Sequence, residues 1–169
     1  MSLVVPRFDE SVVVRAADAE AVGRAPVSVR LPADSSATGG ALSTQRVTLA
    51  SGADGARPHL HDNSAEMFFL LDGAAEILSG DDIVTAGPGD LVIVPPGTPH
   101  AFAAVPGADA DLLIVLTPGV ERFEYEATPE SLLEVQELYD NHFLRSEAWE
   151  SRRHWRTGET VSRARPRAP

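Results

Sequence analysis

Three of the five histidines in this 169-residue chain stand at spacings that can gather them on one metal ion. His59 and His61 flank a single leucine. In an extended strand, residues two apart project to the same face, so their imidazoles converge. Glu66 follows after a short loop, at the head of an apolar run. His100 arrives on a separate strand, just past the turn-rich stretch Pro95–Pro99. Three neutral imidazoles and one carboxylate suit one divalent first-row ion (iron, manganese, nickel, cobalt, copper or zinc), and the carboxylate adds charge neutralisation that imidazoles lack. Cysteine is absent, which excludes thiolate ligands, iron–sulfur clusters, disulfides and cysteine nucleophiles together. The chain has no glycine-rich phosphate loop and no serine nucleophile elbow.

Short strands hold these residues in place. Leu42–Ala50, Glu66–Leu71, Ala74–Leu78, Asp82–Ala86, Leu91–Val94, Pro99–Val105 and Asp111–Thr117 are apolar runs with turn signals every eight to twelve residues, the pattern of an all-β sandwich or barrel. Asp72-Gly73 lies between two of them and predicts a tight type I′ hairpin. Upstream, Val4–Val5, Val12–Val14 and Val27–Leu31 are β-prone pieces of an N-terminal arm over 1–41. Downstream, Thr128 as N-cap, Pro129 at the first helical position, and Leu132, Val135, Leu138, Tyr139 and Phe143 three or four apart predict a helix over 128–150. The division expected is an arm over 1–41, a barrel over 42–118, a helical extension over 119–155 and a flexible basic tail over 156–169.

At the metal-ligand residues the sequence resembles the cupin superfamily. His59, His61, Glu66 and Gly73 fall at the intervals of the first cupin motif, with Ala53 at its leading glycine position. Gly89, Pro95, Gly97 and His100 match the second, with Ala104 at its asparagine position. Fifteen residues, Ala74 to Pro88, separate the motifs, as in small single-domain cupins. The segment 116–124 more loosely resembles the stretch after the barrel in quercetin-dioxygenase-like cupins. The resemblance implies a double-stranded β-helix, or jelly-roll barrel, with a C-terminal α-helical extension and a metal held by His59, His61, Glu66 and His100.

Alternation extends the site. If Glu66 points inward, so do Phe68 and Leu70; if His100 does, so do Phe102 and Ala104. Phe68 and Phe102 are candidate substrate contacts, and equally plain core. Arg57, two before His59, is a candidate for binding an anionic substrate group, against the usual solvated fate of such an arginine. Gln45 or Arg46 faces the interior, depending on strand register. His142 and His154 read as surface residues. Three functions suit such a centre. One is a dioxygenase-like oxidoreductase acting on a small, flat substrate with an enol or phenol oxygen, with Glu66 as ligand or general base. Another is a metal-assisted cyclase or isomerase of polyketide type. The third is a non-catalytic small-molecule binder.

Charge narrows the partners. Residues 151–169 hold six arginines and one glutamate, a local +5, so the first 150 carry −16 of the net −11. An acidic barrel repels phosphate backbones, which argues against nucleic acid. The terminal arginines, Arg152 and Arg153 among them, could touch RNA or DNA, but the expectation is that they are solvated or fold back on the acidic barrel. No apolar run approaches membrane-spanning length and no secretion signal opens the chain, so no membrane partner and a cytoplasmic location are expected. Cupins of this kind commonly pair, so a homodimer is expected, with the N-terminal segment as a candidate exchanged strand.

Overall fold

The computed structural model describes residues 8–120 and 140–153. Among the described residues, eleven strands form two antiparallel sheets. Strands β1 (Glu20–Arg24), β2 (Val27–Ala33), β3 (Ser43–Leu49), β5 (Ala65–Gly73), β8 (Leu91–Val94) and β10 (Ala110–Thr117) make the first, in the order β1-β2-β3-β10-β5-β8. Strands β4 (His59–Leu60), β6 (Ala75–Ser79), β7 (Asp82–Ala86), β9 (His100–Ala104) and β11 (His142–Phe143) make the second, in the order β11-β4-β9-β6-β7. From β3 onward the chain passes repeatedly between the sheets, the jelly-roll arrangement that buries two inner faces against each other.

Each inner face follows the period-two pattern. Glu66, Phe68 and Leu70 of β5 are buried, and so are Val47 and Leu49 of β3 and Leu112, Ile114 and Leu116 of β10. They meet Ile77, Phe102 and Ala104 of the opposite sheet in one core. Full burial of each large member contributes roughly 1.5–3 kcal/mol. All five residues of β9 are buried, because its outer face is covered too. A short helix, α1 (Glu147–Arg152), lays Trp149 over Leu78, Ala101 and Ala103. The alanines leave room for the indole. Ser146 caps the helix by accepting from the Trp149 amide, and Glu147 and Glu150 sit in its first turn, where the helix dipole favours acid.

Three expectations change. Asp72-Gly73 is not a hairpin turn. It is the corner where β5, paired with β8 and β10, hands over to β6, paired with β7 and β9. Gly73 has φ +74, and a Cβ there would meet the Asp109 carbonyl oxygen, so glycine serves a close backbone approach. The tight hairpin lies instead at Gly80-Asp81, between β6 and β7. Val12–Val14 is exposed and forms no strand, while Glu20–Arg24, which its charged ends disguise, pairs with β2. The helix expected over 128–150 ends differently. Residues 128–139 lie outside the described residues, but 140–146 form a turn and the edge strand β11, with helix only from Glu147. Asp140 takes a positive φ of 52, incompatible with a continuing helix.

Candidate metal centre

His59, His61, Glu66 and His100 meet inside the roll, each exposing 4% or less of its surface. β4 brings His59 opposite His100 on β9. His61 lies one residue beyond β4, and β5 carries Glu66 on its inner face. Ligand atoms of all four lie within 4.8 Å of one another. The Nε2 atoms of His100, His61 and His59 stand 2.5, 3.3 and 3.8 Å from one Glu66 oxygen.

The other ring nitrogen of each imidazole is already committed. His59 Nδ1 donates to the Arg57 carbonyl at 2.8 Å, His100 Nδ1 to Thr98 at 2.9 Å and His61 Nδ1 to Asp140 at 2.5 Å. A carbonyl can only accept, so each Nδ1 carries the proton, and a neutral ring presents the lone pair of Nε2 to the centre. The Nε2 of His100 is buried 2.5 Å from the Glu66 oxygen. Lone pairs and a carboxylate crowded into a dry interior repel unless a cation lies among them. The donor set therefore fits a divalent metal of the nitrogen- and oxygen-preferring kind, and the backbone carbonyls behind the rings fix their orientation.

The electrostatics of the metal-free cluster differ from ring to ring. Burial pushes His59 down to about 4, against the pull of Glu66, so this ring is neutral at physiological pH. Burial alone would raise Glu66, but the imidazoles of His100 and His61 outweigh it and hold the carboxyl well below the usual range. Burial also opposes charge on His61, yet the adjacent Glu66 and the Asp140 carbonyl raise it overall.

The remaining candidate residues divide. Phe68 and Phe102 are buried beside the centre. Their ring centroids are 5.4 Å apart, and that of Phe68 is 6.2 Å from His100. The Phe102 ring rests against Gly55, where a Cβ would come within 2.3 Å of it. Arg57 is exposed, with its guanidinium 3.9 Å from the Phe143 ring centroid, and it serves the centre through its backbone carbonyl. Register settles the β3 ambiguity. Gln45 shares the inner face with Val47 and Leu49 and is half-buried opposite Ile114, whereas Arg46 points outward to Asp111. His142 is half-buried, pairs across from Leu60 in β11 and meets Asp62 at 2.9 Å. His154 lies outside the described residues. Residue spacing gives no warning of Asp140 or the β11 segment. The sole hint is Asp140-Asn141, a turn-prone pair inside a helical pattern.

This two-sheet roll, with imidazoles and a carboxylate converging in its interior, defines a cupin fold. Residues 45–116 match the family model described as "Cupin domain", which supports placing the chain in the cupin superfamily. Among solved structures it is similar to KdgF from Halomonas sp., at 19% identity and TM-score 0.56 over 64% of this chain and 94% of that one. It is similar to a Streptomyces Pac13 variant solved with uridine, at 14% identity and TM-score 0.56 over 83% and 97% of the two chains. Pac13 is described as a nucleoside dehydratase. A third similar structure is the polyketide cyclase RemF from Streptomyces resistomycificus, at 20% identity and TM-score 0.52 over 72% and 92%. No curated protein matches the sequence. No helix among the described residues is long and apolar enough to cross a membrane.

Proposed function

We propose that this protein is a metal-dependent enzyme acting on a small, flat organic substrate that offers an enol or phenol oxygen, with dioxygenase-like chemistry as the first reading. The observation that carries it is the buried convergence of three Nε2 lone pairs and one carboxylate within 4.8 Å. A divalent metal held there would supply Lewis acidity toward a substrate oxygen and, if redox-active, electron transfer. Glu66 would balance the charge and take the substrate's hydroxyl proton. Phe68 and Phe102 offer an apolar wall against a planar ring and exclude water. Gln45, two strands away on the same inner face, offers an amide to a second substrate oxygen.

A second reading, proton transfer without oxygen as in a cyclase, isomerase or dehydratase, draws support from the similarity to Pac13 and RemF. Elemental analysis followed by turnover of a flavonol and enol panel, with and without oxygen, separates the two. Dioxygenase chemistry requires a redox-active ion and oxygen uptake matched to substrate loss. Anaerobic turnover with zinc bound would replace it with the second reading. Purified protein that takes up none of the six metals would remove both.

A further inference from the structure

The loop joining the ligands His61 and Glu66 presents three successive backbone amides, those of Asp62, Asn63 and Ser64, away from the barrel. One side chain takes all three. The Asp140 carboxylate accepts from Asp62 N at 2.7 Å, Asn63 N at 2.9 Å and Ser64 N at 3.1 Å, and from the Asn63 side-chain amide at 3.2 Å. The same residue's backbone carbonyl accepts from His61 Nδ1. Asp140 achieves both by adopting φ +52, the only positive φ at a non-glycine among the described residues. Such a conformation is uncommon outside glycine and is tolerated best by Asp and Asn. Asp140 lies 79 residues from His61, beyond the last strand of the roll, and β11 immediately after it pairs Phe143 with His59.

We propose that Asp140 is a positioning residue of the metal centre: its carbonyl orients His61 and its carboxylate sets the path of the loop between two ligands. This rests on the metal reading above. Its consequence is that the segment from Asp140 onward is a working part of the site. A hydrogen-bonded carbonyl behind a ligating imidazole holds its rotation and raises its basicity. Loss of such partners typically weakens metal affinity about 10–100-fold. The carboxylate acts on the loop instead. Without it, three amides lose their acceptor, and the distance from His61 to Glu66 is no longer held.

Cobalt(II) titration of the full-length, chelator-treated protein tests this, reading affinity and the visible d–d spectrum together. Asp140→Gly keeps the positive φ and the carbonyl but deletes the carboxylate. Asp140→Asn keeps one acceptor oxygen. Leu49→Ala, a core truncation distant from the loop, controls for general loss of stability. Because the His61–carbonyl bond is kept, the expected result is the low end of that range: cobalt affinity about 10-fold weaker in Asp140→Gly with an altered spectrum, an intermediate value in Asp140→Asn, and wild-type affinity and spectrum in Leu49→Ala. Wild-type affinity and spectrum in both Asp140 variants would overturn the inference, as would equal weakening in Leu49→Ala. If Asp140→Gly does not fold, Asp140→Asn decides by the same criterion. A wild-type protein that binds no cobalt would fail the metal reading itself, a distinguishable result.

Discussion

Glu66 is the residue on which the centre turns, because it is the only anion among three imidazoles and touches all of them. Glu66→Gln keeps the shape and removes the charge. It should leave the fold intact and reduce bound metal, measured by elemental analysis after dialysis, to below one ion per chain; full occupancy would show that the imidazoles suffice. Between pH 6.5 and 4, acid acts on the metal-free protein through His59. Its folded value of about 4 lies below the ordinary 6.5, so between those limits the unfolded chain binds a proton that the native state does not. Stability should therefore fall with pH across that window by on the order of 3 kcal/mol and level off for this group below it. Glu66, held low, contributes stability that is lost as pH falls through its folded value. His61, held high, has the opposite sign: its contribution is present in acid and fades as pH rises. Urea midpoints of chelator-treated protein should drop from pH 6.5 to 4, and drop less in His59→Gln. Equal drops in both proteins would exclude His59 as the cause.

At the scale of elements, the site depends on how the approach to β4 meets β9. The Gly55 amide donates to the Phe102 carbonyl at 2.9 Å, and the Phe102 ring fills the space a side chain at 55 would need. Gly55→Ala forces that ring toward Phe68 and the metal ligands. Overpacking of this kind costs about 1–3 kcal/mol. Thermal unfolding should register the loss, and the near-ultraviolet signal of the phenylalanines should change with it. An unchanged melting temperature would mean that the loop, not the ring, yields. The corner at Gly73 is less forgiving, since a Cβ there would meet backbone rather than side chain.

At the scale of the whole molecule, the C-terminal segment is a strap across the second sheet. β11 extends that sheet beside His59, Trp149 seals the outer face of β6 and β9, and Arg153 fastens the end. The buried Arg153 guanidinium donates to Asp54 at 2.5 Å, Glu76 at 3.2 Å and the carbonyls of Ala104 and Gly52, while Arg152 reaches the other Glu76 oxygen. Two arginines of the basic C-terminus thus fold back on barrel acids and anchor the loop leading to His59. Trp149→Ala opens a large void between α1 and the sheet and should destabilise the protein by about 3–5 kcal/mol in urea unfolding. A loss below 1 kcal/mol would show that the strap is not cooperative with the roll.

Much of this was legible from residue types and spacing. The meeting of His59, His61, Glu66 and His100 in a candidate metal centre was foreseeable because ligand chemistry tolerates few residue types and strand alternation dictates their direction. Most barrel strands were found within a residue or two, because period-two burial is written locally. Phe68 and Phe102 followed from the same alternation. What stayed hidden was non-local. Whether Asp72-Gly73 folds back as a hairpin or turns a corner depends on which strands pair, and those pairings join residues far apart in the chain. Gln45 and Arg46 could be told apart only by the register of β3 against β10. Asp140 reaches His61 across 79 residues, with no spacing rule to reveal it. Residue types and their order were enough to single out the candidate donors and the alternation that aims them. Which backbone carbonyls orient those donors waited on the folded chain, because hydrogen bonds between distant segments exist only once the sheets have closed.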